Sequence, residues 1–565
     1  MTRHASRLLL LATALAVAFS LWESRGQTYF SDEWGRWITY PDRSFEYSLH
    51  GASGHLIVVQ IWVYRAVVEV FGAGSYLSFR LIAAALLAGC AWLFYLWARE
   101  EADPLLAAAG ATILLFLGAA WEVVATPYGI VILLPVACGL AALNCVRRTG
   151  RRWRTAACAL LVVGIGAGSF ALPFLAGAAV AIALEGRRRF ARDAWVVAIP
   201  LLLYAAWFVW TRTGGKEVSV ADPLDTGSVT DMPRSAAELI AAGLGAATGL
   251  FRDSTAFLQF ETEAGFVLLG LLLIAVIARL RAGTAHASRA LVPLAMLLCY
   301  AVLIGLVANE LRPPTSVRYL YPAALFSLLL LATLAPRRPL RRVEKGLLAA
   351  LVAVSLGANI MSYHQAAEEI RGIGSQNRVA LAALRQFEPP AGYPGDDLSV
   401  DGAIGSGPMG VDNNMRFSAS EYMQAVDRFG DPAASPDELR GASPGERTAA
   451  DRLLARAMEL ALVPAEATAA GRCRRLRGSV GEQATYGLRP RPGAKLTIST
   501  DSEGPGFAIL ARALSSAFTP IAALPGGFAG RLAVPEAGRP SWQLRIKTAQ
   551  PAEVCITGVA GEAGF

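Results

Sequence analysis

Long apolar stretches alternate with short, arginine-rich segments over roughly the first two-thirds of this chain. Only 17% of the residues are charged and 54% are hydrophobic, which is too apolar for an ordinary soluble protein. The alternation predicts a mainly α-helical, polytopic membrane bundle over residues 1–361. The apolar blocks fall at about residues 6–22, 55–72, 79–97, 104–120, 129–146, 155–168, 171–184, 194–211, 264–279, 290–308, 319–335 and 346–361.

The arginine-rich segments between the blocks indicate how the bundle is oriented. Short loops rich in arginine and lysine stay on the cytoplasmic side of a membrane. The formal net charge of +8 is therefore interpreted as a mark of orientation, and nucleic acid is not expected as a partner. Four segments carry this mark: "RRTGRRWR" (147–154), "EGRRRFAR" (185–192), "RLRAGTAHASR" (279–289) and "PRRPLRRVEK" (336–345).

One apolar block decides the sidedness of all four basic segments. If block 55–72 crosses the membrane, every basic segment lands outside, whereas all four land inside if the block stays on the outer face. We therefore expect residues 55–72 to form an interfacial helix within a first outer loop, 23–78. With the N-terminal block retained, the chain becomes a multi-pass protein of the plasma membrane. About eleven spans remain, with the N-terminus in the cytoplasm and the C-terminus outside it.

A change of composition near residue 362 predicts a second domain. Glycine, proline and charged residues become frequent there and no further span follows, so residues 362–565 are expected to form an extracytoplasmic soluble domain of α+β or β-sandwich type. Helices are predicted within 364–470 and a β-sandwich within 490–565. Trp542 could offer an aromatic platform for sugar, although burial in the sandwich core is the favoured interpretation.

Two cysteines fall in the domain that is placed outside the cytoplasm. Cys473 and Cys555 lie in the predicted oxidising compartment, so a disulfide between them is expected. The other cysteines lie in or beside apolar helices and are interpreted as small core residues. Zinc-ligand spacing, Walker loops and dinucleotide fingerprints do not occur in the sequence.

The order of the segments resembles a known superfamily of membrane enzymes. The outer loop opens with "SDEW", an apolar helix starts at "GHL" and ends at "FG", and "SYLSFRLIAAALLAGCAWLFYLWARE" and "RYLYP" follow. These features are similar to the polyprenyl-phosphate-sugar-dependent glycosyltransferases of the GT-C superfamily, above all the protein O-mannosyltransferases and the lipid A aminoarabinose transferases. The resemblance covers about residues 1–335, and it reaches motif level only at Asp32, Glu33, Arg80 and "RYLYP".

The chain also departs from the pattern of that superfamily. Many members have a His-Pro-Pro-Leu-like string before the loop helix, where this chain has "HGASGHL". Many also carry an aspartate in the second outer loop, where this chain has only Glu122. The departures leave the metal and the acceptor open, together with the alternative of a degenerate, inactive relative.

The resemblance implies a transferase that works on the outer face of the membrane. Nucleotide sugars do not cross a bilayer, so the donor would be a sugar linked to a polyprenyl phosphate, and the acceptor a hydroxyl of a glycan, lipid or protein. The phosphate leaves as a stable anion, so one carboxylate suffices to deprotonate the acceptor, and inversion is expected. Asp32 is the candidate base and Glu33 its orienting neighbour. One of the two acids should have a raised pKa because they share the site. The alternative is that both acids only cap a helix.

Other residues near the outer face are candidates for binding. Arg318, Arg312 and Arg80 are predicted to bind the donor lipid phosphate, with snorkelling beside headgroups as the alternative for Arg318. His55, Trp34 and Glu122 are predicted to contact the acceptor or the sugar, although an aromatic belt at the membrane interface is the plainer interpretation of Trp34.

No cofactor is required by this chemistry. A metal site is not expected, and a divalent cation held by Asp32 with His50 and His55 is kept as an alternative. The predicted spans carry almost no charge, which argues against a transporter or flippase. A membrane-anchored carbohydrate-binding or assembly protein remains the non-enzymatic alternative.

Overall fold

The structure is a computed structural model, and its described residues form a helical bundle followed by a domain that contains two larger sheets. Residues 214–225, which follow the apolar block 194–211, and residues 388–416 of the predicted helical region 364–470 lie outside the described set. The structure describes residues 2–30, 32–50, 55–213, 226–250, 252–253, 260–261, 263–281, 288–308, 312–387, 417, 419–457, 460, 462–465, 472–476, 484–490, 493–500, 507–524, 529–534, 541–548 and 552–557.

The helices are numbered here in chain order. The α-helices are α1 (Thr2–Glu23), α2 (Asp32–Thr39), α3 (Phe45–His50), α4 (Val58–Phe71), α5 (Leu77–Ala98), α6 (Pro104–Leu115), α7 (Trp121–Val124), α8 (Gly129–Val146), α9 (Arg151–Ala167), α10 (Leu172–Ala183), α11 (Arg187–Asp193), α12 (Trp195–Thr213), α13 (Thr226–Thr248), α14 (Glu263–Arg281), α15 (Leu291–Val307), α16 (Val317–Leu334), α17 (Arg342–Phe387), α18 (Ala419–Phe429), α19 (Pro436–Gly441) and α20 (Pro444–Ala457). Short 3-10 helices occur at Tyr40–Asp42, Gly118–Ala120 and Ser169–Ala171.

The strands follow the helices, apart from one short pair. They are β1 (Arg252–Asp253), β2 (Phe260–Glu261), β3 (Leu462–Ala465), β4 (Arg472–Leu476), β5 (Ala484–Leu488), β6 (Lys495–Thr500), β7 (Phe507–Arg512), β8 (Thr519–Leu524), β9 (Ala529–Ala533), β10 (Gln543–Thr548) and β11 (Ala552–Thr557).

Many of the helices are long and apolar enough to cross a membrane. Eight meet this description among the residues that the structure describes, and α4, with its 14 residues, is not one of them. This confirms a mainly helical chain with several membrane-length helices, while about eleven spans stays a prediction. The eight are Arg3–Glu23, Leu77–Ala98, Pro104–Val124, Gly129–Val146, Trp195–Thr213, Glu263–Arg281, Val317–Leu334 and Arg342–Phe387.

One buried carboxylate forms ion pairs with arginines from three of the basic segments. The carboxylate of Glu101, just after α5, lies 2.5 Å from the guanidinium of Arg147, 2.6 Å from that of Arg337 and 3.7 Å from that of Arg289. A buried carboxylate is tolerated because several cations surround it. These three segments therefore meet at one end of the bundle.

The fourth basic segment joins the first through another ion-pair network. Arg154, at the start of α9, contacts Glu185 at 2.6 Å and Asp193 at 3.2 Å. The same guanidinium donates to the carbonyl of Val146, beside the segment that reaches Glu101. All four basic segments thus share one end of the bundle, which we call the basic end. A common side for the four segments is what the positive-inside rule requires.

Helix α5 separates the basic end from the opposite end of the bundle. Its 22 residues span about 33 Å, from Leu77 to the turn that carries Glu101. Near its first turn Arg80 meets Ser20 from the last turn of α1. The segment that follows α1 therefore starts at the far end, away from the basic segments, and the acids at residues 32 and 33 lie there.

Helix α17 runs from the bundle into the C-terminal domain without a break. It has 46 residues, which corresponds to about 69 Å. Its C-terminal part packs against α20, and Arg378 contacts Glu438 of α19 at 3.1 Å. The domain boundary expected at residues 361 and 362 falls inside this helix, because the change in composition there marks a change of surroundings and not the end of a helix.

Two antiparallel sheets make up the β part of the C-terminal domain. One has the order β3-β9-β6-β11-β4 and the other β5-β10-β7-β8. Leu496 and Leu532 of the first sheet and Ile509 and Leu544 of the second are buried in one hydrophobic cluster. The strands begin earlier than the expected residue 490, with β3. Trp542 is buried in the same cluster, as the core interpretation predicted.

The two outer cysteines lie on neighbouring strands. In the register of β4 and β11, Cys473 is directly opposite Cys555. Residues opposite each other in an antiparallel pair have Cα atoms about 4.5–5.5 Å apart, within the range that a disulfide spans. The disulfide itself stays a prediction, now with a register that permits it.

Candidate functional site

Asp32 and Glu33 open the short helix α2 at the end of the bundle opposite the basic end. Acidic residues in a first helical turn are favoured by the helix dipole. The side chain of Asp32 is 45% exposed, and its nearest cation is Arg36, one turn later, at 3.7 Å. Asp32 is thus a carboxylate that solvent can reach.

Glu33 has a different environment from its neighbour. Its side chain is fully buried and accepts the backbone N–H of Phe30 at 2.8 Å and of Tyr128 at 2.6 Å. The hydroxyl of Tyr76 donates to it at 3.3 Å. Glu33 therefore ties α2 to the turn before α8, while a catalytic role for its buried carboxylate stays a prediction.

The pKa of Glu33 is raised, as was expected for one member of the acid pair. Burial is the main cause and brings the pKa from 4.5 to about 7, opposed by the two backbone N–H groups and by the charges of Arg36 and Arg80. The cause expected from the sequence, repulsion between the two neighbouring acids, is not the main reason for the raised pKa of Glu33. The exposed Asp32 and the buried Glu33 instead differ because their side chains leave the helix in different directions.

A pH dependence of stability follows from the raised pKa of Glu33. The carboxyl of Glu33 loses its proton near pH 4.5 in the unfolded chain but only near pH 7 in the folded protein. Its contribution to the free energy of unfolding is therefore complete below pH 4.5 and is lost as the pH rises through about 7. The loss amounts to about 3 kcal/mol at high pH. Glu33→Gln should remove this slope. We expect the wild-type unfolding temperature, measured in detergent from pH 5 to pH 8.5, to fall relative to that of the variant; parallel curves would contradict the assignment.

Glu122 and Arg318 form a second acid–base pair at this end of the bundle. Arg318 lies in the first turn of α16, and its Nε and Nη2 donate to the two carboxylate oxygens of Glu122 at 3.0 and 2.9 Å. The side chain of Glu122 is 6% exposed and that of Arg318 35%. An arginine in a first helical turn opposes the helix dipole, and the bidentate carboxylate compensates for this.

The ring of Tyr128 connects the two pairs. The guanidinium of Arg36 lies 4.8 Å from the ring centroid and that of Arg318 lies 5.4 Å from it. Cations at this distance are attracted by the face of an aromatic ring. The Asp32–Arg36 and Glu122–Arg318 pairs therefore belong to one polar cluster, which we call the outer cluster.

His55 lies beside the outer cluster. Its Nδ1 is 2.9 Å from the hydroxyl of Ser169, and its ring stacks on Phe170. Burial, followed by the charges of Arg312 and Arg318, lowers the pKa of His55 to about 4. The imidazole is therefore neutral at pH 7, and Arg312 is close enough to act on it.

Arg80 does not belong to this cluster. Its side chain is 1% exposed, and its Nη2 donates to the hydroxyls of Ser20 and Tyr363 inside the bundle. These bonds connect α5 to α1 and α17. Binding of a lipid phosphate by Arg80 stays a prediction, and its buried guanidinium is not open to the surface.

Trp34 is enclosed as well. It packs edge-on against Tyr29 at 5.3 Å between ring centroids and tilted against Trp37 at 6.1 Å, with no exposed ring surface. Trp34 therefore packs within an aromatic core, and its contact with sugar stays a prediction. Tryptophan's large apolar surface suits such an aromatic core.

Two members of the outer cluster were not identified from the sequence. Arg36 follows Asp32 by four residues, a spacing that indicates a helical ion pair and could have been noticed. Tyr128 gives no such signal, because its partners Arg36 and Arg318 are distant in the chain.

The two histidines considered for a metal site have separate surroundings. His50 lies 3.9 Å from Glu46, whereas His55 contacts Ser169. Within the described part of the chain, no group of three histidine, cysteine, aspartate or glutamate side chains is arranged to hold a metal ion. Deprotonation of an acceptor hydroxyl by a carboxylate does not require a divalent cation.

The outer cluster combines an exposed carboxylate with fixed cations at one end of a helical bundle. Such a set can accept a proton and bind an anion within one site. The sequence matches no protein-family model and no curated protein.

Proposed function

We propose that this protein is a membrane glycosyltransferase that moves a sugar from a polyprenyl-phosphate donor to an acceptor hydroxyl on the outer face of the membrane, with inversion. The observation that carries the proposal is the position of Asp32 beside the Glu122–Arg318 pair, at the end of the bundle opposite the basic end. A general base and a phosphate site are the two parts that this reaction needs.

Asp32 is the general base in this proposal. Arg36 lies 3.7 Å from its carboxylate, a distance longer than a hydrogen bond, so the carboxylate stays open to an acceptor. It takes the proton of the acceptor hydroxyl as the oxygen attacks the anomeric carbon. The bond from that carbon to the phosphate oxygen breaks, and the polyprenyl phosphate leaves as an anion that needs no proton.

Arg318 stabilises the departing phosphate. Two of its nitrogens are held by Glu122, and its side chain is 35% exposed, so the guanidinium has a fixed orientation and an open side. Glu122, which is buried and pairs with Arg318 through both carboxylate oxygens, holds that guanidinium in place. Arg312 adds positive charge nearby. Neutral His55 can form a hydrogen bond to the sugar or the phosphate.

The proposal places the protein in the plasma membrane with the outer cluster outside the cytoplasm. The support is the meeting of all four basic segments at the basic end, which by the positive-inside rule faces the cytoplasm. The N-terminus is then cytoplasmic, and the C-terminal domain is extracytoplasmic. A glycan, lipid or protein acceptor reaches Asp32 from outside, and the donor reaches Arg318 from the lipid.

The test uses the full chain in lipid nanodiscs with a panel of sugars linked to a polyprenyl phosphate. Release of free polyprenyl phosphate is measured, because this product does not depend on the acceptor chosen. Sidedness is measured separately with Glu46→Cys in a cysteine-free background, labelled in intact cells by an impermeant maleimide. We expect release from at least one donor and labelling from outside. Labelling only after lysis, or no release from any donor, would contradict the proposal.

A further inference from the structure

The segment that carries Glu122 is held at both ends by one face of α17. The side-chain oxygen of Asn359 accepts the backbone N–H of Ala119 at 2.9 Å, and the hydroxyl of Tyr363 donates to the carbonyl of Val124 at 3.1 Å. Residues four apart on a helix lie on the same face. These two side chains thus bracket Glu122 in the chain.

Asn359 is itself fixed in orientation. It is 1% exposed, and its amide nitrogen donates to the carbonyls of Ala246 and Ser355, both at 3.0 Å. Its helix also approaches the bracketed segment closely: a Cβ atom on Gly118 would lie 1.8 Å from the carbonyl oxygen of Asn359. The contact between α17 and this segment therefore leaves no room for a side chain at position 118.

Tyr363 is fixed by the buried residues of the neighbouring helices. Its oxygen accepts from Arg80 at 3.2 Å and lies 3.2 Å from the hydroxyl of Ser20. Arg80, which does not reach the outer cluster, acts here by orienting Tyr363. The far side of the segment is tied down by Glu33 through the N–H of Tyr128.

The same helix carries part of the C-terminal domain. Beyond Tyr363, Ser375 contacts Glu446 of α20, and Arg378 contacts Glu438 of α19. One continuous helix of 46 residues therefore contacts both the segment that carries Glu122 and the C-terminal domain.

We propose that Asn359 and Tyr363 are positioning residues, which set the place of Glu122 and thereby of Arg318. The effect on sugar transfer rests on the proposed function. The mechanical part does not: loss of either side chain should loosen residues 118–128 whatever the protein does.

Hydrogen–deuterium exchange on the full chain tests the mechanical part. In Asn359→Leu and Tyr363→Phe we expect amides of the peptide covering 118–128 to exchange at least about tenfold faster, because a buried hydrogen bond is lost. Partly buried Asn144 and buried Tyr95, whose hydrogen bonds go to other parts of the bundle, provide matched controls. Asn144→Leu removes bonds to the carbonyls of Leu93 and Leu140, and Tyr95→Phe removes a bond to Ser6.

The outcome separates positioning from a general loss of stability. Faster exchange confined to 118–128 in the α17 variants, with the control variants unchanged there, supports the proposal. Unchanged exchange at 118–128, or equal acceleration in controls and α17 variants, would overturn it. Tyr363→Phe removes a single oxygen, so it keeps the test decisive if Asn359→Leu does not fold.

Transfer kinetics supply the second measurement. Because Glu122 holds the phosphate-binding guanidinium, Tyr363→Phe should raise the donor KM about three- to tenfold and change kcat less, which a loss of folded protein would not do. An unchanged donor KM alongside local loosening would overturn the link to the outer cluster. If the wild type transfers no sugar, the proposed function fails, while the exchange result still decides whether α17 positions the segment.

Discussion

Replacing Asp32 with asparagine is expected to abolish sugar transfer while leaving the protein folded. A general base contributes about 10²- to 10⁴-fold to a rate, and asparagine cannot accept the acceptor proton. The side chain of Asp32 is 45% exposed and its ion pair with Arg36 is long, so little stability depends on it. The measurement is the rate of polyprenyl phosphate release by protein purified to equal monodispersity.

A second acid of the same loop provides the control for this variant. Glu46 is exposed, lies in α3 and pairs with His50 at 3.9 Å, away from the outer cluster. Glu46→Gln should therefore transfer sugar at the wild-type rate. Asp32→Glu keeps a carboxylate but moves it by one methylene, so an intermediate rate is expected. Transfer by Asp32→Asn within a few-fold of the wild type would end the assignment of the base.

The helical membrane architecture could be predicted from the sequence because its signal is local. The length and apolarity of a block depend only on neighbouring residues. Among the residues that the structure describes, eight helices are long and apolar enough to cross a membrane. It was also predictable that the basic segments lie together at one end of the bundle. Three of them meet around Glu101, as the rule that places them on one side allows, although that glutamate gave no signal of its own.

The roles of Glu33, Trp34 and Arg80 could not be predicted in the same way. A sequence pattern gives the approximate depth of a residue but not the direction of its side chain. Successive residues of a helix point about 100° apart, so Asp32 and Glu33 separate into one exposed and one buried carboxylate. Arg80 lies at the expected level of the bundle, but it faces the interior.

Ion pairs between residues far apart in the chain could not be predicted from the sequence either. Glu122 and Arg318 are far apart in the chain, and each alone looks like an isolated charge beside a span. An unpaired buried charge is costly, so the presence of some partner could be inferred, whereas its identity depends on how α7 and α16 pack. Asn359 and Tyr363 of α17, which bind the backbone on either side of Glu122, are also far from that segment in the sequence.

Arg318→Ala is expected to impair both donor use and stability, for separate reasons. Loss of a charge-assisted phosphate contact should raise the donor KM by about 10- to 100-fold. Loss of the guanidinium also leaves the buried carboxylate of Glu122 without its cation, which should lower the unfolding temperature. Arg318→Lys retains the charge but not the bidentate geometry, so it should fall between alanine and the wild type in both measurements.

The double variant Glu122→Gln with Arg318→Ala separates the two effects. Removing the buried charge together with its partner should recover much of the lost stability, since a neutral amide costs less to bury than an unpaired carboxylate. Donor KM should stay high, because the phosphate still lacks its cation. The losses of stability should therefore be non-additive, and the donor KM of the double variant should equal that of Arg318→Ala alone. Recovery of donor use together with stability would instead mean that Arg318 serves only to neutralise Glu122, and the phosphate site would have to be sought at Arg312.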